Sequence, residues 1–190
     1  MPTAIRSLLV ANVLGFLLKL AFDPDFSQVF ELAIDADAPL DALLTAPWQL
    51  ATYSFLHDDW LHIGLNLLAL WIFGVPVERE WGARRTLFAY FAAVLTGALA
   101  QIVGVAAAVE AGGSVIGASA GVFGLMFCFG MLFPQRLLIP GPIQVRARPF
   151  VFACMAIDLL LGMTGTSQGI AYLSHVGGLI GGWLVYQYGA

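Results

Sequence analysis

The sequence is poor in charge and in cysteine. Only 11% of its 190 residues are Asp, Glu, Lys or Arg, whereas a soluble domain usually carries about 25%. The 8 Lys and Arg residues form no basic patch, which excludes a nucleic-acid-binding surface. Cys128 and Cys154 both lie in apolar segments, which excludes a disulfide framework. Hydrophobic residues make up 60% of the chain and predict an integral membrane protein in which residues 1–190 form one domain.

Six apolar segments are long enough to cross a bilayer, which requires about 20 residues. The predicted spans are residues 4–22, 60–78, 86–109, 117–133, 149–165 and 168–188. The first segment has a feature of signal peptides, because Arg6 precedes an apolar run. Lys19 interrupts that run, and no cleavage site followed by a polar region is evident. We therefore interpret the segment as a retained first span.

The basic residues predict the orientation of these spans. Membrane proteins concentrate Lys and Arg in their cytoplasmic loops. All the basic residues except Lys19 lie at the N-terminus or in the second and fourth loops, which six spans place on one side. The long first loop, residues 23–59, carries acidic residues and no Lys or Arg. We therefore predict that both termini are cytoplasmic and that the acidic loop lies outside.

Four polar residues are predicted to lie at one depth in the membrane. In this orientation, spans two, four and six each begin at the outer face. His62 and Asn66 are near the start of span two, Ser119 is near the start of span four, and His175 is about two turns into span six. Ionisable side chains inside a membrane are costly and usually functional. Their shared position in the outer half of the bilayer predicts a single site.

The residue types at this depth suit acyl transfer. A serine becomes nucleophilic when a base takes its proton, and histidine is the usual base. Small residues spaced four apart let membrane helices approach closely, and they predict contact between Ser119 and His175. These residues are Gly117 and Gly121 in span four, and Gly177, Gly178, Gly181 and Gly182 in span six. No Asp or Glu is expected near these positions at this depth, which predicts a Ser–His dyad without an acidic third member.

The remaining polar residues are candidates for stabilising an oxyanion, which acyl transfer also requires. His62 and Asn66 are four residues apart and therefore share one helix face. An imidazole N–H and an amide NH₂ on that face can point at one atom. Gly117 can permit a tight turn that exposes backbone N–H groups beside Ser119.

Three motifs in this order resemble those of the rhomboid intramembrane serine proteases, over residues 45 to 186. The motifs are His57-x4-His62-x3-Asn66 in span two, Gly117-x-Ser119 in span four and His175-x2-Gly178-x3-Gly182 in span six. The Gly-x-Ser motif alone has little specificity, whereas the three together are highly specific. The resemblance implies an all-α membrane protein, a six-transmembrane-helix bundle with both termini cytoplasmic.

The same resemblance implies the function and the role of each residue. Ser119 is expected to be the nucleophile and His175 the general base. His62, Asn66 and the backbone at Gly117 and Ser119 are expected to form the oxyanion hole, while His57 is expected to be structural. The supporting positions are Phe123, Gly121, Gly178 and Gly182. Neither a cofactor nor a metal is implied.

The implied partners are transmembrane protein substrates and the lipid bilayer, without nucleic acid. The compact form suggests a bacterial inner (plasma) membrane, and the oligomeric state is not predicted. Substrates would be cleaved near their outer ends after lateral access between spans two and five.

Two positions depart from the family pattern. Ala120 follows the serine where the family often has glycine, so an added methyl group is expected to narrow the oxyanion turn. Phe123 stands where an aromatic hydroxyl is often found. Its ring, at i+4 from Ser119, is expected to stack on His175 without the hydrogen bond of a hydroxyl.

Other interpretations of these residues remain open. A rhomboid-like protein that binds transmembrane clients without cutting them would share the fold; loss of the serine or the histidine would favour it, but both are present. A small transporter or channel would need polar residues along the whole membrane depth. Three histidines can also bind a metal, but the sequence has no His-Glu-x-x-His motif.

Two acidic residues within or beside the spans are interpreted as structural. Asp158 in span five is expected to hydrogen-bond a neighbouring helix or to face the cavity. Glu78 is expected to join Arg79 or Arg84 in a surface network on the cytoplasmic side, where ion pairs contribute little stability.

Overall fold

The apolar segments of the sequence fold as helices. The computed structural model describes residues 1–139, 145–164 and 171–189. The long helices in this part of the chain are α1 (Thr3–Phe22), α5 (Trp60–Ala69), α6 (Val75–Ala106), α7 (Ser119–Leu132), α8 (Ala147–Thr164) and α9 (Tyr172–Tyr188). The short elements are α2 (Asp25–Phe30), α3 (Asp41–Thr45), α4 (Gln49–Thr52) and the strands β1 (Leu32–Ile34), β2 (Gly113–Val115), β3 (Leu137–Ile139) and β4 (Val145–Arg146).

The boundaries of the predicted spans differ in detail from those of the helices. A π-helical turn, Leu70–Gly74, joins α5 to α6, so that spans two and three form one helical stretch. That stretch kinks at Gly82, whose φ of 77° favours glycine. The predicted positions 165 and 168–170 lie outside the described residues. By length and hydropathy, two described helical stretches qualify as membrane spans, Thr3–Phe22 and Trp60–Ala106, and Ser119–Leu132 is a shorter apolar helix.

Helix α9 packs through glycines against α6 on one face and α7 on the other. A Cβ atom on Gly181 would lie 2.6 Å from the Cα of Ala93 in α6. A Cβ atom on Gly182 would lie 2.8 Å from the Cα of Gly124 in α7. The expectation that Gly117 and Gly121 form the α7 side of this contact was wrong. Gly121 instead faces Tyr90 of α6, whereas Ala120, the residue before it, contacts Gly178 of α9, because adjacent residues on a helix point in different directions.

The N-terminus of α1 is held by Glu78, which corrects the prediction of a surface network with Arg79 or Arg84. The Glu78 side chain is buried, and its two carboxyl oxygens accept hydrogen bonds of 2.8 Å from the backbone N–H groups of Ala4 and Ile5. The first N–H groups of a helix lack partners within it, and they attract an anion. Glu78 therefore acts as a cap from another helix.

The acidic loop, residues 23–59, is folded onto the segment that precedes Ser119. Strand β1 pairs in antiparallel fashion with β2, with Leu32 opposite Val115 and Ile34 opposite Gly113. Lys19, the exception to the charge distribution, lies 3.5 Å from Asp58. The outer loop therefore helps to place the start of α7.

Candidate active site

The turn before α7 places Ser119 at the first position of that helix. Gly117 has a φ of 124°, a conformation that residues with a side chain rarely adopt. Its N–H donates a 3.0 Å hydrogen bond to the carbonyl of Tyr53, and the N–H of Ala118 lies 3.5 Å from Nε2 of His57. The following N–H groups have no acceptor within the helix. The tight turn that the sequence predicts at Gly117 is present.

Ser119 and His175 are in direct contact. The distance from Ser119 Oγ to His175 Nε2 is 2.8 Å, which is a hydrogen bond. His175 lies in the first turn of α9, because the described helix begins at Tyr172 and not at residue 168. Only 11% of its side-chain surface is exposed. The arrangement allows the hydroxyl proton to pass to the imidazole, as nucleophilic catalysis requires.

Asp158 is bonded to the other nitrogen of His175, so the expectation that no acidic residue lies near this site was wrong. The two carboxyl oxygens of Asp158 lie 2.9 and 3.0 Å from His175 Nδ1. Asp158 is in the C-terminal half of α8. In the predicted orientation α8 runs towards the outer face, so this half reaches the depth of His175. The signal was in the sequence, because an acidic residue in an apolar span is itself uncommon.

Phe123 covers one face of the His175 imidazole. The ring centroids are 4.4 Å apart and the planes differ by 9°, which is a stacked arrangement. This contact was expected from the i+4 spacing of Ser119 and Phe123. Phenylalanine has no hydroxyl, so it restrains the imidazole plane without a hydrogen bond.

The candidate oxyanion donors line the same cavity as His175. The cavity has a volume of about 380 Å³, and its lining includes Ser119, His175, His62 and Asn66. A Cβ atom on Gly117 would lie 2.8 Å from His62 Nε2, so that glycine leaves space for the imidazole beside the serine. The Asn66 amide donates a 3.0 Å hydrogen bond to the carbonyl of His62. One amide hydrogen is therefore engaged within the helix, and Asn66 also lines the cavity.

Helix α5 begins where it does because Asp59 caps it. The Asp59 carboxylate accepts 2.8 Å hydrogen bonds from the backbone N–H groups of Leu61 and His62. These hydrogen bonds, with that from His62 the stronger influence, lower the pKa of Asp59. The cap holds the first turn of α5, and with it His62, in the lining of the cavity.

His57 supports the serine turn from a fully buried position. Its ring meets the ring of His62 edge to face, with centroids 4.9 Å apart. Burial, and secondly the neighbouring His62 and Lys19, lower the pKa of His57 to about 3. The ring is therefore neutral at physiological pH, so that Nε2 can accept the Ala118 N–H.

Comparison with known proteins identifies the family. A family model described as the Rhomboid domain matches residues 45–189. This chain belongs to the rhomboid family. The match begins in the acidic loop and runs through all the helices that carry the site, as the sequence resemblance predicted.

Named relatives of this rhomboid come from a bacterium and from a yeast, and the bacterial relative is named as a protease. The chain is 33% identical over 136 residues to rhomboid protease GluP of Bacillus subtilis, which covers 72% of this chain and 25% of that protein. It is 30% identical over 138 residues to the mitochondrial rhomboid protein 1 of Saccharomyces cerevisiae, covering 71% of this chain and 40% of that protein. The chain thus matches less than half of the length of these curated relatives. The family makes this rhomboid an integral membrane protein.

The donor set of the site suits proton transfer rather than metal binding. Within residues 1–139, 145–164 and 171–189, no three His, Cys, Asp or Glu side chains come together as a metal ion would require. The rhomboid site instead contains one hydroxyl, one imidazole and one carboxyl in a hydrogen-bonded row.

Proposed function

We propose that this rhomboid is an intramembrane serine endopeptidase that hydrolyses membrane-spanning protein substrates. The observation that carries the proposal is the 2.8 Å hydrogen bond between Ser119 Oγ and His175 Nε2. That bond joins residues 56 positions apart on two helices, at the wall of a cavity of about 380 Å³. Relatives that are named as proteases support the same reaction class.

Acylation begins when a substrate carbonyl enters the cavity beside Ser119. His175 Nε2 accepts the hydroxyl proton as Oγ bonds to the carbonyl carbon, and the carbonyl oxygen becomes an oxyanion. The Ser119 backbone N–H, His62 and Asn66 are the proposed donors to that oxygen. The C–N bond then breaks, His175 gives its proton to the leaving amine, and an acyl ester remains on Ser119.

Deacylation repeats these steps with water. His175 takes a proton from a water molecule, whose oxygen attacks the ester carbonyl, and the same donors stabilise the second oxyanion. The ester C–O bond breaks and the proton returns to Ser119 Oγ, so the enzyme is regenerated. The polar lining of the cavity, which includes Asp58 and Asp59, can admit this water.

The membrane arrangement is part of the proposal. We propose six spans, both termini in the cytoplasm and a bacterial inner membrane as the location. The distribution of Lys and Arg supports the orientation. It puts the cavity in the outer half of the bilayer, where substrates would be cut near their outer ends.

The test is to react the purified protein in detergent with a fluorophosphonate probe, which labels only activated serines. We expect labelling of the unmodified protein and none of Ser119→Ala or His175→Ala. Asn66→Ala should be milder, with a loss of about 10²–10³ in rate, because other oxyanion donors remain.

Each outcome of this test supports or contradicts one hypothesis about the site. Labelling that persists in Ser119→Ala would refute the assigned nucleophile. Full activity of Asn66→Ala would remove that residue from the oxyanion hole. If the unmodified protein is folded but does not react, client binding without cleavage becomes the better interpretation.

A further inference from the structure

The candidate site contains a carboxylate for which a serine–histidine dyad has no use. Asp158 reaches His175 Nδ1 with both oxygens, at 2.9 and 3.0 Å. The side chains are 18% exposed for Asp158 and 11% for His175, so bulk water does not separate them. A carboxylate inside a membrane helix is costly, and such residues usually face a partner in the bundle. Here the partner is the imidazole next to Ser119.

The contact determines which nitrogen of His175 carries the proton. Carboxylate oxygens accept hydrogen bonds, so the short distances at Nδ1 favour an N–H at that atom. The neutral imidazole then has its lone pair on Nε2, which faces Ser119 Oγ at 2.8 Å. That tautomer is the one that can accept the serine proton.

Asp158 and Phe123 restrain different movements of the same ring. Phe123 stacks on the imidazole and limits its tilt. Stacking does not prevent a ring from turning within its own plane, and phenylalanine offers no hydrogen bond. The carboxylate holds the Nδ1 edge and therefore limits the in-plane rotation that would move Nε2 away from Ser119.

A glycine on α8 allows this helix to approach α9 closely near the Asp158–His175 contact. Gly162 lies one turn beyond Asp158 on α8, and Tyr172 lies one turn before His175 on α9. A Cβ atom on Gly162 would lie 2.5 Å from Cγ of Tyr172. The absence of a side chain at residue 162 therefore lets the two helices approach at the level of the Asp158–His175 pair.

We propose that Asp158 is a positioning residue that orients His175 through Nδ1, so that the site works as a Ser–His–Asp triad. The proposal rests on the proposed function for its effect on rate, but the contact and the tautomer can be tested without turnover. In the reaction the carboxylate accepts the Nδ1–H throughout and also stabilises the imidazolium that forms after proton transfer. No proton moves to Asp158.

The test compares the full chain with Asp158→Asn, Asp158→Glu and Asp37→Asn. Asparagine has nearly the same shape as aspartate but can donate its amide hydrogen to Nδ1, which favours the wrong tautomer. Asp37 is an exposed residue of the outer loop, so Asp37→Asn removes the same charge away from the site. The substrate is an internally quenched peptide with an apolar transmembrane segment, and thermal unfolding in detergent checks the fold of each variant.

We expect kcat of Asp158→Asn to fall by about 10²-fold or more, with KM changed by less than about 3-fold, because the lost interaction acts on the transition state. Asp158→Glu should recover part of the rate, and Asp37→Asn should match the unmodified protein. A merely structural tie between α8 and α9 would lower the unfolding temperature and spare kcat, and that result would overturn the proposal.

The second readout is the ¹⁵N NMR spectrum of protein labelled at the histidine imidazoles, with a His175→Asn sample for assignment. The proposal requires the proton of His175 on Nδ1 in the unmodified protein. A proton on Nε2 there would overturn it. If the unmodified protein has no turnover, the proposed function fails, whereas the tautomer of His175 still decides whether Asp158 orients the ring.

Discussion

The two sides of the candidate site are held in different ways. Ser119 and His175 lie on α7 and α9, which pack against each other and against α6 through glycines and small side chains. Asp158 lies on α8, which has less extensive contact with α7 and α9 and leaves large apolar side chains exposed. Those side chains are Phe152, Ile157, Leu159, Leu160 and Leu161. Close packing has few alternative arrangements, so α7 and α9 hold the proposed nucleophile and base in place, whereas Asp158 lies on a helix with fewer packing contacts.

The largest effect is expected from Gly178→Ala, which adds a methyl group between α9 and α7. The new Cβ atom would lie 2.9 Å from the carbonyl carbon of Ala120, and backbone cannot move aside easily. Overpacking usually costs about 1–3 kcal/mol. Because a misplacement of about 1 Å can cost about 10²-fold, fluorophosphonate labelling should fall by that factor or more. The labelling rate measures the loss of reactivity at Ser119, and thermal unfolding measures the loss of stability.

Gly64→Ala is the matched control for that change. Gly64 also lies in a helix, α5, but a Cβ atom there would meet nothing within 4 Å. Alanine is favoured over glycine in helices by up to about 1 kcal/mol, so this variant should be as stable or more stable. Equal behaviour of the two variants would refute the idea that the α7–α9 contact is tightly fixed.

A smaller effect is expected from Gly162→Ala on α8. The new methyl group would press against the Tyr172 ring and move α8 outward, because α8 has less extensive contact with its neighbours than α9 has. A weaker Asp158–His175 contact should lower the labelling rate by about 10-fold, less than removal of the carboxylate does, and the unfolding temperature should change less than in Gly178→Ala. A larger loss of stability than in Gly178→Ala would reverse the comparison.

The smallest effect on the labelling rate is expected at His57, which contacts the turn before Ser119 and is tested through its effect on stability. Its pKa is lowered to about 3 in the folded protein, against about 6.5 in an unfolded chain. The unfolded state therefore binds more protons below pH 6.5, and stability falls as the pH is lowered. Between about pH 7.5 and 5 this residue should account for about 2 kcal/mol of lost stability.

His57→Gln provides the comparison, since glutamine does not titrate and its amide oxygen can still accept the Ala118 N–H. Thermal unfolding across this pH range should show a shallower decline for the variant than for the unmodified protein. Parallel declines would mean that His57 does not titrate on unfolding.

Much of the site could be predicted because the depth of a residue in the membrane follows from its position along its helix. Counting residues brought Ser119 to the start of α7 and near His175, and the i+4 spacing predicted the stacking of Phe123 on the imidazole. The family was also confirmed, because three motifs in order are specific where each one alone is weak. Counting cannot give the direction in which a helix face points. For that reason the predicted contact of Gly121 with α9 was wrong. Gly121 faces Tyr90 on α6 instead.

The sequence by itself determined the apolar helical character of the chain, its family and the polar residues that lie at one end of their helices. These are local properties, set by composition, spacing and direction along the chain. Only the tertiary structure decided which group each buried carboxylate contacts. Asp158 contacts the imidazole of His175, and Glu78 contacts the N-terminus of α1. Both pairings depend on the rotation and distance between helices remote in sequence. A buried charge is stable only where packing supplies its hydrogen-bonding partner, and packing is a property of the whole bundle.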